Sequence, residues 1–390
     1  MSNKKNGGVI AAGLALFSMF FGAGDLIWPL ILGGTYGDKN LYAMIGLLIS
    51  GVSLPLLGLL SMMLFQGKYT EFFGKIGKVP GFILIFIIQV ILGPIGTIPR
   101  LYTLAHATLS PYMPGFVNLA IFSVLASLMV FLFTIKRHRV IDIVGLVLCP
   151  MLLACLGAIL IVGFMSSPPP PEAMAMTTKE SFLGGLNVGY NTLDLIASFI
   201  FAPFVLSYFV REDEVIESPE KRRLIFKKMI KACSLSAVLL SLMFIGQTYL
   251  ASYYTPVMPP HAPEERLGAI ALYLLGSKGA FFACMAVALS CLTTAIPISV
   301  ITANYIKDTL SGGKINFYAA AGISLAFATI IANLGFMGIA GMLAPILQIL
   351  CPGLILLSIL NILHKLYEME TRRVPVYAAF AISTLGYFLV

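Results

Sequence analysis

Apolar runs of about 20 residues recur from one end of the chain to the other, separated by short polar connections. Each is long enough to cross a hydrocarbon layer roughly 30 Å thick. Backbone amides and carbonyls in lipid must be satisfied within the segment, so such runs are helices, and the alternating period of membrane β-strands is absent. The pattern predicts an all-α polytopic membrane protein of about eleven helices, near 9–33, 41–66, 80–108, 115–134, 141–165, 187–209, 228–253, 277–306, 315–334, 337–363 and 374–390. The longest connections are about 20 residues, so residues 1–390 read as one transmembrane domain. The first apolar run is too long for a signal-peptide core, and ten more follow it. The connection after the fifth span contains Pro168 to Pro171 and reads as a stiff exposed loop.

Composition agrees. Hydrophobic residues make up 59% and charged residues 11%, whereas a soluble domain carries roughly 25% charged residues. With the N-terminus in the cytoplasm, twenty Lys and Arg fall on the inner side and four (Lys39, Lys179, Arg266, Lys278) on the outer, with Arg100 inside a span. This is the asymmetry expected of an inner-membrane protein, and it puts the C-terminus on the periplasmic or extracellular side. The net charge of +8 is then a topology signal and points to lipid, with no nucleic-acid partner. Six cysteines in or beside apolar segments read as packing residues, with neither disulfides nor a metal site indicated.

Charged residues within spans are costly and usually face a bundle interior or a watery cavity. Here they are Asp25, Asp194, Arg100 and, near a span end, Asp142. The first span reads Phe20-Phe21-Gly22-Ala23-Gly24-Asp25, with Pro29 four residues on. Two glycines weaken the helix, and Pro29 withholds the amide that would bond the Asp25 carbonyl, so a break is predicted near Gly22 to Gly24. The sixth span repeats the theme in Gly189-Tyr190-Asn191-Thr192-Leu193-Asp194, followed by Ser198 and Pro203. Two broken helices facing each other would offer amides to a carboxylate and carbonyls to an ammonium or small cation at the midplane. The alternative is a glycine-rich packing face with both aspartates buried as structural groups.

The spacing implies an internal repeat, 9–165 and 187–363, each half beginning with a broken, Asp-bearing helix; 374–390 lies outside it. The third helix of each half carries a polar break as well, Gly93 to Pro99 and Thr293 to Pro297. Five helices is an odd number, so the halves are inverted, the five-helix arrangement of LeuT-type transporters. Thr293 and Thr294 either bond back along their own helix or, with the carbonyl of Thr293 freed by Pro297, contribute oxygens suited to Na⁺.

At these motifs (Phe-Phe-Gly-Ala-Gly-Asp at 20–25, Gly-Pro-Ile-Gly-Thr-Ile-Pro-Arg at 93–100, Gly-Tyr-Asn-Thr-Leu-Asp at 189–194 and Cys-Leu-Thr-Thr-Ala at 291–295) the chain resembles the bacterial branched-chain amino acid:cation symporters. The resemblance implies the LeuT-type fold and import of branched-chain or similar apolar amino acids with Na⁺ or H⁺ as coupling ion and no other cofactor. It implies a substrate site along Phe21, Gly22, Ala23, Gly24 and Asp25, the amides of Ala23 and Gly24 meeting the carboxylate, completed by Asn191, Thr192, Asp194 and Ser198. Carbonyls near Ser18 and Phe21, with Thr293 and Thr294, would hold the cation. Arg100 either snorkels harmlessly or pairs with an acidic group as an outer gate. The chain departs from the family in carrying Asp25 where Asn is usual, so that position would bind Na⁺ more strongly or exchange protons, and in showing no twelfth helix, which leaves the oligomeric state open.

Three rivals use the same residues. Gly22-Ala23-Gly24-Asp25 matches the Gly-x-Gly-Asp signature of intramembrane aspartyl proteases, but it precedes the second aspartate, and no Pro-Ala-Leu motif follows. Nucleotide-driven pumping lacks a Gly-x-x-x-x-Gly-Lys-Ser/Thr loop. A passive facilitator or exchanger would use the same cavity without a tightly held ion. The preferred side chain among leucine, isoleucine, valine and methionine is not legible in helices that are apolar throughout.

Overall fold

A computed structural model describes residues 8–135, 149–166, 170–171, 173–207, 209–210, 219–369 and 373–389. The expected start of the fifth span with Asp142, the charges at 136–139 and at 211, and Pro168 and Pro169 lie outside them.

Among the described residues the chain is helical. The first span is split into α1 (Val9–Phe20) and α2 (Ala23–Tyr36). The second runs as α3 (Asn40–Leu48) and α4 (Leu54–Leu64), joined by a π-turn at Ile49–Ser53, and a short α5 (Tyr69–Gly74) follows. The third is α6 (Lys78–Val90) and α7 (Thr97–Leu109) around a π-turn at Ile91–Ile95, where Gly93 leaves helical geometry. Then come α8 (Leu119–Ile135), α9 (Cys149–Met165), the split sixth span α10 (Thr178–Tyr190) and α11 (Asp194–Ser207), and α12 (Pro219–Tyr254). The series closes with α13 (Arg266–Tyr305), α14 (Phe317–Ala332), α15 (Gly335–Tyr367) and α16 (Arg373–Leu389).

Three elements start earlier than hydropathy implies: α12 begins at Pro219 rather than near 228, and α10 and α13 have identifiable local causes. The Thr177 hydroxyl accepts the Glu180 amide and the Glu180 carboxylate accepts the Thr177 amide, so this reciprocal cap starts α10 at 178 rather than 187. In α13 the chain turns at Gly276, at φ +66°, so the apolar stretch from Arg266 forms a separate arm before the longer portion that carries Thr293 and Thr294. The eighth span also corrects an expectation: α13 stays helical through Thr293 to Pro297. One proline removes a single amide, and the packed neighbours on α1 and α7 hold the helix together across it.

Lipid replaces water as the solvent of this fold. Val124, Leu125, Leu128 and Leu132 along one side of α8 are all more than half exposed, whereas Asp25, Arg100 and Asp194 are buried to within 2%. Close helix crossings use small residues: α3 and α10 meet at Gly46 and Gly185, where an added methyl would strike the facing backbone. The two interrupted spans lie against each other at the centre of the bundle.

Candidate functional site

The break in the first span is local backbone chemistry. Phe21 leaves the helix at ψ 77°, Gly22 is extended at φ −110° and ψ −156°, and α2 starts at Ala23. The Gly22 amide donates to Asp25 Oδ2 at 3.0 Å, so Asp25 caps the helix that carries it and places negative charge at that helix's N-terminus. Asp25 Oδ1 has no partner.

The sixth span opens across Asn191 to Leu193. Leu193 sits at φ +74°, a left-handed conformation that costs a β-carbon-bearing residue about 1–2 kcal/mol and persists because its surroundings enforce it. The Thr192 hydroxyl donates to the Gly189 carbonyl at 2.9 Å and accepts from the Asp194 amide at 3.4 Å, holding the two half-helices across the gap. The two breaks touch: a methyl at Gly24 would lie 2.7 Å from the Thr192 carbonyl oxygen, so no other residue fits there without moving α2 away from the sixth span.

Between the breaks lies a narrow cavity of about 20 Å³, room for about one water molecule, so an amino acid enters only when the two half-helices move apart. Gly22 to Asp25, Thr192, Asp194, Arg100, Thr97 and Thr294 give it polar wall, and Met19, Phe20, Leu92, Phe201 and Ile298 give it apolar wall. Asp25 and Asp194 lie side by side, within reach of a mutual hydrogen bond once one carries a proton. Asp194 Oδ2, like Asp25 Oδ1, has no donor. Arg100 enters from α7, 1% exposed. Its Nη1 donates to the Asn191 carbonyl at 2.8 Å and its guanidinium lies 5.4 Å from the Phe336 ring centre, while Nε and Nη2 are without partners. Phe20 and Phe201 meet edge to face at 5.2 Å on the α1–α11 side of the cavity.

A second cluster adjoins the cavity where α1 ends. The last carbonyls of a helix lack intrahelical donors, and here hydroxyls of α13 meet two of them. Thr294 donates to the Ser18 carbonyl at 3.0 Å and Ser290 to the Phe21 carbonyl at 3.0 Å. Two carbonyls and two rotatable hydroxyls are the kind of neutral oxygens a hard monovalent cation favours, so these four residues are the candidates to hold one.

The residues singled out in the sequence are distributed as follows. Gly22, Ala23, Gly24, Asp25, Thr192, Asp194, Arg100 and Thr294 line the cavity. The Phe21 ring stacks on Phe17 at 5.0 Å, and its carbonyl belongs to the second cluster. The Asn191 amide turns back to the Asn187 carbonyl, and the Ser198 hydroxyl donates to the Leu195 carbonyl beside Gly58. The Ser18 hydroxyl donates to the Ala15 carbonyl and the Thr293 hydroxyl to the Ser290 carbonyl, each along its own helix. Arg100 neither snorkels nor forms an ion pair with a described carboxylate. Ser290 went unnoticed in the sequence, although its place one turn before Thr294 marks the same helix face; Phe201 and Phe336 carried no signal among so many apolar neighbours.

A family model described as branched-chain amino acid transport protein matches residues 5–387. The branched-chain amino acid permease BrnQ of Bacillus subtilis (strain 168) is 28% identical over 371 residues, covering 93% of this chain and 82% of that protein. A putative branched-chain amino acid carrier protein of Staphylococcus aureus (strain USA300) is 29% identical over 391 residues, covering 95% and 86%. Among solved structures, Mhp1 in an inward-facing conformation superposes with a TM-score of 0.67 at 13% identity, covering 98% of this chain and 89% of that one. A Na⁺-coupled sialic acid symporter gives 0.64 at 13%, covering 98% and 88%. The fold is therefore that of the LeuT-like transporters.

Proposed function

The chain belongs to the branched-chain amino acid transport protein family, and from that premise we propose that it imports branched-chain or similar apolar L-amino acids by symport with one monovalent cation. Family and relatives are transporters, which sets the protease reading aside. The observation that carries the proposal is the meeting of two interrupted helices, where two carboxyls and a guanidinium line one narrow cavity with an apolar wall beside them. That combination matches a zwitterion with an aliphatic side chain.

Charge bookkeeping gives the coupling. Ionised Asp25 and Asp194 with Arg100 leave the site at −1, and a zwitterion adds nothing. One cation completes neutrality in a low-dielectric interior, where an uncompensated charge is expensive. It is Na⁺ where the Ser18 and Phe21 carbonyls and the Ser290 and Thr294 hydroxyls hold it, and H⁺ where the carboxyl pair takes it. The two five-helix halves, 9–165 and 187–363, rock about this fixed site in alternating access. The excess of Lys and Arg in alternate connections supports a cytoplasmic N-terminus in a bacterial inner membrane.

Uptake of leucine, isoleucine, valine and methionine into proteoliposomes, with sodium and proton gradients imposed separately, tests this. Accumulation above the external concentration under one gradient supports symport. Equilibration or exchange alone, whatever the gradient, means a facilitator instead.

A further inference from the structure

We propose that Arg100 binds the substrate carboxylate through its Nε–Nη2 edge, and that the Asp25–Asp194 pair receives the substrate ammonium. The inference rests on the amino-acid transport reading and names the chemistry of its site.

A guanidinium has two forked edges able to hold a carboxylate with two parallel hydrogen bonds. In Arg100 one nitrogen is committed, since Nη1 donates to the Asn191 carbonyl at 2.8 Å. That bond, with the Phe336 ring beside the guanidinium, fixes its plane. Nε and Nη2 together make up the side-on edge, and both are buried, unpartnered and on a residue that lines the cavity. Leaving a charged group's donors unsatisfied in a buried position is costly unless a ligand fills them. No described carboxylate of the protein does so, although Asp25 and Asp194 line the same cavity.

The other candidate anion site is the N-terminus of α2, where the amides of Ala23 and Gly24 begin the half-helix. Asp25 already places a carboxylate there, taking the Gly22 amide. A second anion would meet like charge at close range, whereas at Arg100 it meets a cation. The same argument places the ammonium beside the carboxyl pair, whose Asp25 Oδ1 and Asp194 Oδ2 both lack donors. When the half-helices part to widen the cavity, the zwitterion then lies across it with each end against opposite charge, and its side chain is left to the apolar wall.

The test compares leucine with leucinamide, which keeps the ammonium and side chain but has no anionic carboxylate, by equilibrium binding to the purified full-length chain. In the unsubstituted protein leucine should bind more tightly than leucinamide. Arg100→Gln should weaken leucine by about tenfold to a hundredfold while changing leucinamide little, so that the preference collapses. Arg100→Lys, which keeps the charge and loses the fork, should fall between, and it serves as the readout if Arg100→Gln does not fold. If the substitutions weaken both ligands equally and the preference survives, Arg100 is a structural bridge and the inference is overturned. If the unsubstituted protein binds no leucine, it is the transport reading that fails instead.

Discussion

The Thr294 hydroxyl donates to the Ser18 carbonyl at 3.0 Å, joining the last turn of the first half-helix to the middle of the eighth span, and Ser290 does the same for Phe21 one turn away. These bonds clamp the end of α1 in the conformation described. A sodium ion entering the cluster would take over the carbonyls and turn the hydroxyl lone pairs inward, so the ion and the clamp use the same atoms. Each hydroxyl bond contributes about 0.5–1.5 kcal/mol. Thr294→Val or Ser290→Ala should therefore raise the sodium concentration for half-maximal uptake about threefold to tenfold, measured at fixed pH. Unchanged sodium activation in the double substitution would remove the cluster from ion binding.

The contact between the two breaks makes a second expectation. At Gly24 an added methyl meets the Thr192 carbonyl oxygen at 2.7 Å and its α-carbon at 2.9 Å, both backbone atoms that cannot rotate aside. Gly24→Ala should cost about 1–3 kcal/mol in stability from overpacking and reduce uptake far more than membrane insertion. Insertion is read from the amount of protein in the membrane fraction and stability from the thermal midpoint in detergent. Normal uptake in this variant would mean that the half-helices are not held at this spacing during transport.

Whether a feature of this site is legible in the sequence depends on whether its cause is local. The break at Gly22 to Gly24 follows from residues adjacent in sequence, because glycine and the later proline act on their own turn. The break at Asn191 to Leu193 is legible because Asn, Thr and Asp within four positions are too costly at that depth to be left facing lipid. Ser290 is not, since a lone serine in a membrane helix ordinarily bonds its own backbone, as Thr293 does here. Arg100 escapes for a geometric reason. Counting about 20 residues of straight helix from Pro80 puts it roughly 30 Å along the span, near the outer surface, but the π-turn at Ile91–Ile95 and the non-helical Gly93 redirect α7 and bring Arg100 into the cavity. Bends add across a helix, and hydropathy does not record them.

A third expectation concerns the cap of α10, outside the membrane-deep portion. Thr177 and Glu180 exchange hydrogen bonds at 3.2 and 2.8 Å. The Thr177 amide and hydroxyl hold the Glu180 carboxyl below its ordinary value of 4.5. A carboxyl lowered in the folded state stabilises fully above that ordinary value and progressively less as pH falls through the lowered one. Thr177→Ala should cost about 1 kcal/mol at neutral pH and less in acid, followed as the shift in thermal midpoint between pH 7 and pH 3. A penalty independent of pH over that range would mean that the bond from the Thr177 hydroxyl to the Glu180 carboxylate contributes nothing, leaving that carboxylate to the backbone amide alone.

The carboxyl pair separates binding from coupling. Asp194→Ala removes one wall of the ammonium site and should abolish uptake, with the protein still inserted. Asp25→Asn is gentler, because the amide oxygen of asparagine can still accept the Gly22 amide that Asp25 Oδ2 accepts now at 3.0 Å. The substitution takes one negative charge from a site that otherwise stands at −1, so the site no longer draws a proton for neutrality, while the oxygens of the Ser18, Phe21, Ser290 and Thr294 cluster are unchanged. Asp25→Asn, which installs the residue usual in the resembling symporters, should then retain exchange of labelled for unlabelled leucine and accumulation driven by a sodium gradient, and lose accumulation driven by a proton gradient alone. Counterflow and gradient-driven uptake measured on the same vesicles distinguish the two activities. Undiminished accumulation under the proton gradient would place the coupling charge on a group other than Asp25.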